Sequence, residues 1–88
     1  MNRVIYRLGE DKRTRLRVVN TEGNAFVITA AVWELLRDGE RVDYGNCMIQ
    51  ETVLSAQIAP SAAGEHLLRF RFEVEGETFV EQVRVDVL

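Results

Sequence analysis

Residues 64–88 read GEHLLRFRFEVEGETFVEQVRVDVL, and two strands are written in them. Leu68, Phe70, Phe72 and Val74 fall on one parity, with Leu67, Arg69, Arg71, Glu73 and Glu75 on the other. Alternation of period two marks a strand with one face buried and one in water. Glu75-Gly76-Glu77 turns the chain, because glycine accepts positive φ cheaply. The return strand, Thr78–Leu88, places Phe79, Val83, Val85 and Val87 inside and Gln82, Arg84 and Asp86 outside. Glu81 falls on the inward parity, which predicts a bulge or the margin of the sheet at that point.

The same punctuation continues upstream. Ser61-Ala62-Ala63-Gly64 reads as a corner. Pro60, the only proline, ends a strand over Thr52–Ala59, because it cannot donate to a ladder. Leu54, Ala56 and Ile58 share one face of that strand, and a short strand around Cys47–Gln50 leads into it. Asp38-Gly39 is a hairpin signal, with a return strand over Glu40–Tyr44 and a turn expected at Gly45-Asn46. Residues 25–36, AFVITAAVWELL, admit a helix over Ala30–Arg37 or a strand. The strand is preferred, since β-branched and aromatic residues dominate 26–33 and no N-cap precedes them. Nearer the N-terminus, Val4, Tyr6 and Leu8 alternate with Arg3, Ile5 and Arg7 as a first strand. Gly9-Glu10-Asp11-Lys12 is a polar break, Leu16 and Val18 mark a second strand, and Thr21-Glu22-Gly23-Asn24 a turn. About seven short strands with one wet face each predict an all-β, antiparallel sandwich.

Eighty-eight residues make one domain, residues 1–88. A hydrophobic fraction of 47% and a charged fraction of 28% are ordinary for a folded globular chain and argue against disorder. The net charge of −3 argues against a nucleic-acid surface. No apolar run approaches the ~18 residues of a membrane-spanning helix, and MNRVIYRLGEDKR has no apolar leader core, so neither a membrane partner nor secretion is expected. The expected site of synthesis and residence is the cytoplasm. A single cysteine, Cys47, excludes an intrachain disulfide.

The chemistry-bearing residues are few. Cys47 and the one histidine, His66, lie on different expected strands with no third group to orient them, so no nucleophilic centre is expected. One histidine and one cysteine cannot make a structural zinc site, and Asp38, Glu40 and Asp43 match no calcium loop. The six glycines stand singly at turns, giving no phosphate cradle. No catalytic residue, metal or cofactor is therefore expected. His66 reads as a corner residue bracing its loop, and Cys47 as a small half-buried hydrophobe.

Three features resemble immunoglobulin-like domains. Trp33 stands shortly before Asp38-Gly39, as their core tryptophan stands before a short hairpin. AAGEHLLRF (62–70) resembles their corner before the sixth strand, with His66 where tyrosine is usual and Leu68 at the second cysteine position. Leu16 or Val18 takes the place of the first cysteine, so aliphatic packing replaces the disulfide. The layout is similar to a narrower group, the immunoglobulin-like N-terminal domain of phage baseplate upper proteins. The matching pieces are LGED (8–11), LRVVN (16–20), TEGN (21–24), LLRDGERV (35–42), VLSAQIAP (53–60) and GEHLLRFRFEVEGE (64–77). That resemblance implies a phage or prophage structural protein, a mount for other virion or assembly proteins or for copies of itself.

The expected function is accordingly non-enzymatic, by sheet-face and edge-strand contacts. The expected contact residues are the outward ones of the closing strands: Leu67, Arg69, Arg71, Val80, Gln82 and Arg84. Exposed Val19 would extend the face if sheet pairing brings it near. The alternative is a ligand-binding or adhesive sandwich of the carbohydrate-binding kind. It ranks lower because the outward faces hold almost no aromatic residue besides Tyr44.

Overall fold

The computed structural model describes residues 2–20 and 22–88; Thr21, the first residue of the expected Thr21–Asn24 turn, lies outside them. The described residues form eight strands and no helix: β1 (Asn2–Tyr6), β2 (Lys12–Arg17), β3 (Ile28–Arg37), β4 (Glu40–Asn46), β5 (Met48–Gln50), β6 (Val53–Ile58), β7 (Gly64–Val74) and β8 (Glu77–Val87). One sheet runs β1-β8-β7-β3-β4 and the other β2-β6-β5. The all-β sandwich expected from the alternation, immunoglobulin-like as the resemblance implied, is what forms, with eight strands and one departure from the expected antiparallel pairing. β1 lies parallel to β8, Asn2 opposite Val83 through Tyr6 opposite Val87. A parallel pair needs a crossover connection, and here the whole intervening chain supplies it.

Residues 28–37 are strand, so the helical alternative over Ala30–Arg37 is excluded. Their inward set, Ala31, Trp33 and Leu35, packs with Leu68, Phe70 and Phe72 of β7, which stand directly opposite. Leu54, Ala56 and Ile58 close the core from the second sheet. Full burial of a side chain such as Leu54 or Phe70 contributes about 1.5–3 kcal/mol.

Asp38-Gly39 and Glu75-Gly76 both turn with positive φ at each position (52° and 80° in both), as a two-residue hairpin requires. The turn expected at Gly45-Asn46 is absent. Both residues belong to β4, Gly45 opposite Trp33 and Asn46 opposite Val32. The glycine there serves a close approach, since a Cβ on Gly45 would stand 3.0 Å from three atoms of the Trp33 indole. The chain changes sheets one residue later, at Cys47, whose N–H donates to the Ala31 carbonyl at 3.0 Å.

Two further expectations are corrected by lengths. β7 and β8 hold eleven residues each and pair without interruption, Gly64 opposite Val87 through Val74 opposite Glu77. At ~3.4 Å per residue they extend about 37 Å, whereas a six-residue strand such as β6 extends about 20 Å. The hairpin therefore overhangs the second sheet. Phe79, expected inside, is 42% exposed, and Glu81 sits at an uncovered margin, with no bulge in that ladder. Leu8 is exposed because β1 ends at Tyr6.

Tyr6 joins the two sheets. Its ring is fully buried, and its hydroxyl lies 3.1 Å from the Lys12 carbonyl and 2.6 Å from Thr14 Oγ1. A carbonyl only accepts, so Tyr6 donates to Lys12 and the buried Thr14 hydroxyl donates to Tyr6. Burial, the largest influence, raises the Tyr6 pKa above its ordinary 10.0, although the Thr14 bond pulls the other way.

Tyr6→Phe is expected to lower unfolding free energy by about 1–3 kcal/mol, because the buried Thr14 hydroxyl and the part-buried Lys12 carbonyl lose their partner. A pKa raised by folding means stability that is full below pH 10 and declines as pH rises through the folded value. Denaturant titrations across alkaline pH are expected to show that decline in the wild type and a shallower one in Tyr6→Phe. Gly45→Ala is expected to cost about 1–2 kcal/mol, since the indole must shift in a packed core. Chemical denaturation measures it, and an unchanged midpoint would show that Trp33 has room to move.

Candidate interaction face

Alternation along the closing strands sends Leu67, Arg69 and Arg71 of β7 to the outer face of the larger sheet, with Val80, Gln82 and Arg84 of β8. Sheet pairing then brings all six together as three directly opposed pairs: Leu67 with Arg84, Arg69 with Gln82, Arg71 with Val80. The rungs continue across β3, with Leu36, Glu34 and Val32 beside Leu67, Arg69 and Arg71. They end on β4 at Arg41, Tyr44 and Asn46.

These residues are not equally free. Arg69 Nη1 donates to Glu34 Oε1 at 2.9 Å across the β7–β3 pair. Arg84 is held by Asp86 at 3.0 Å and Glu65 at 3.5 Å, and Arg3 of β1 also pairs with Asp86. Hydrogen bonding from Arg84, and then from Arg3, keeps the Asp86 carboxyl below its ordinary range. The Arg3–Asp86–Arg84 cluster is therefore intact at neutral pH and is lost only as acid protonates Asp86. Its place beside the β1–β8 ladder makes it a tether for the first strand. Leu67 and Gln82 are half-buried.

Arg71 is different. Among the described residues no carboxylate pairs with it. It stands on one rung between Val80 and Val32, 48% and 43% exposed. Val19, expected as a possible neighbour, lies on the segment after β2 and does not join this rung.

Beside Arg71 the face dips into a depression of about 350 Å³ lined by Val32, Arg41, Tyr44, Arg69 and Arg71, with Trp33 and Gly45 beneath. Tyr44 is 67% exposed, and the Arg41 guanidinium carbon stands 4.4 Å from its ring centroid. Plain alternation sets residues three apart on opposite faces. They share one here because the register shifts between Leu35 and Leu36, opposing them to Asp43 and Arg41 and leaving Val42 as an extra residue. Arg41 was missed in the sequence for that reason, and no local residue type announces the bulge.

The remaining chemistry-bearing residues sit apart. His66 is buried on β7, with Nδ1 3.1 Å from the Gly64 carbonyl, so this nitrogen carries the proton and braces the corner. Cys47 packs against the core, and burial pushes its thiol up to about 11. Asp38, Glu40 and Asp43 are exposed, and Asp43 Oδ1 accepts the Tyr44 N–H at 2.9 Å. Among the described residues, no group of three or more His, Cys, Asp or Glu is placed to hold a metal ion.

The architecture is shared more widely than the sequence. No protein-family model matches the chain, and no curated protein matches it significantly. An engineered protein from a structural genomics programme superposes with a TM-score of 0.74 at 15% identity. The match takes in 99% of this chain, which spans only 18% of that one. CopC from Methylosinus trichosporium OB3b superposes with a TM-score of 0.66 at 20% identity, over 98% of this chain and 81% of its own. At such identities the likeness is one of fold.

The Cys47 thiol is expected to react with a disulfide reagent at neutral pH at least tenfold more slowly in the native protein than in denaturant. Equal rates would place the thiol in water.

Proposed function

We propose that this chain is a non-enzymatic interaction domain and a structural component of a phage or prophage particle, in its tail, baseplate or neck. Its partners are other virion or assembly proteins, copies of itself included, and the contacts run through the outer sheet face and strand edges. The observation that carries the reading is the Val80–Arg71–Val32 rung. An unpaired guanidinium between two exposed valines is what a contact site requires: apolar area to bury and a directional donor to fix orientation. Arg69 and Arg84 on the same face already have carboxylate partners, so their charge is largely spent within the fold, and Arg41 lies over the Tyr44 ring. What supports the virion assignment is the order of short motifs from LGED (8–11) to GEHLLRFRFEVEGE (64–77).

Light scattering after size exclusion, from micromolar to millimolar protein, tests this reading. The mass is expected to rise above the 10.1 kDa monomer with concentration, and the pair Arg71→Glu with Val32→Thr to hold it at the monomer value. A monomer throughout for the wild type would overturn self-association through this face.

One observation favours the ligand-binding alternative. The depression presents Tyr44 with Arg41 and Arg71, neither paired to a carboxylate among the described residues, beside the Arg69–Glu34 pair and above Trp33, a set suited to an acidic saccharide. Trp33 is the only tryptophan, so its emission reports occupancy. A saturable emission change on adding uronic-acid oligosaccharides, lost in Tyr44→Ala, would select this alternative.

A further inference from the structure

The overhang of the β7–β8 hairpin leaves a second feature that the outer face does not use. β1 pairs with β8 only from Val83 onward. Among the described residues, Glu77–Glu81 have no strand on that side. Alternate N–H and C=O groups of these five residues thus point into an open margin, and a bare edge is a template for another strand. The segment carries no proline, lysine or bulge to close the edge, and what guards it is a pair of acidic residues on the inward parity, Glu77 and Glu81.

The edge borders a groove. Beneath it the sheets part into a cleft of about 550 Å³. The floor is apolar, made by Leu16, Val18, Phe26, Phe72 and Phe79. The Phe72 and Phe79 rings stack at 5.7 Å between centroids. The rim is acidic: Glu22, Glu75, Glu77 and Glu81 face the single cation Arg17, and none of the four carboxylates belongs to an ion pair among the described residues.

We infer that Glu77–Glu81 of β8 is an acceptor edge for an extended cationic segment of a partner chain, which adds to the larger sheet in line with β1. This rests on the reading of the chain as an interaction domain and names the site and the chemistry of its partner. Incoming side chains opposite Glu77 and Glu81 turn inward and are Arg or Lys. Their aliphatic stems cover Phe79 and Val18 while their heads meet the carboxylates. Side chains of the other parity lie beside Val80 on the outer face and are apolar. Backbone bonds supply affinity and the two faces supply selection, as in strand addition generally. The carboxylates also act against a wrong partner. Two copies of this edge brought together would set Glu against Glu, which disfavours pairing of like edges.

The probe is the acetylated, amidated heptapeptide KRVLVRK, in which Arg, Leu and Arg share one face. Its controls are KRPLPRK, matched in charge and unable to pair as a strand, and EEVLVEE, matched in pattern and opposite in charge. Amide hydrogen exchange by NMR reads the result. KRVLVRK is expected to slow exchange within Glu77–Glu81 at least tenfold, with neither control doing so. The double variant Glu77→Lys with Glu81→Lys is expected to abolish the effect, its exchange in β3 and β6 reporting that it is folded. Protection at another edge instead, equal effects of KRVLVRK and KRPLPRK, or no protection within Glu77–Glu81 would each overturn the inference. The face reading is judged separately, by the concentration-dependent mass and its loss in the Arg71→Glu, Val32→Thr variant.

Discussion

Eleven consecutive cross-strand pairs hold β7 against β8, and every other surface of the domain is positioned by that ladder. Side chains alternate with period two, so a slip of one residue would drive Phe70, Leu68, Val83 and Val85 into water and Arg69 and Arg71 into the core. The two closing hairpin residues, Glu75 and Gly76, fix the register at one end, and the His66-braced corner fixes where β7 begins at the other. β3 and β1 then dock on the two sides of the pair. The outer face gains its rungs from the register, and the open edge exists because the pair is longer than what covers it.

How much of this was legible in the sequence depended on how local the determining physics was. The alternation in residues 68–88, the Asp38-Gly39 and Glu75-Gly76 turns and the end of β6 before Pro60 all rest on neighbours in sequence, and each was read. The grouping of Leu67, Arg69, Arg71, Val80, Gln82 and Arg84 was legible too, because one hairpin fixes it. Three features were not. Gly45 looked like a turn residue, and only the indole of Trp33, twelve positions earlier, explains it as a point of close approach. The bulge that unites Arg41 with Tyr44 leaves no residue signature. The partnership of β1 with β8 spans the full chain, and no local pattern chooses parallel over antiparallel.

Charge is distributed to match. Arg84, Arg3 and Asp86 bind the two ends of the chain to each other, and Arg69 with Glu34 ties the middle of the sheet. Ion pairs open to solvent on one side add little to stability. They also leave Arg71 without a carboxylate partner on the face and Glu77 and Glu81 without a cationic one on the open margin, among the described residues. The two places carry opposite signs.

The parallel pairing of β1 with β8 has a mechanical consequence. Leu8 donates to the Leu88 carbonyl at 3.0 Å and Leu88 to Tyr6 at 2.9 Å, so the last residue lies beside the end of the first strand. Tension applied to the two ends of such a domain pulls β1 and β8 in opposite directions along their own axes. Five register pairs are then sheared together instead of being opened one at a time like a zipper. Resistance to force is set by the rate of unfolding and not by equilibrium stability. Force applied along β1 and β8 therefore meets the whole of their ladder at once.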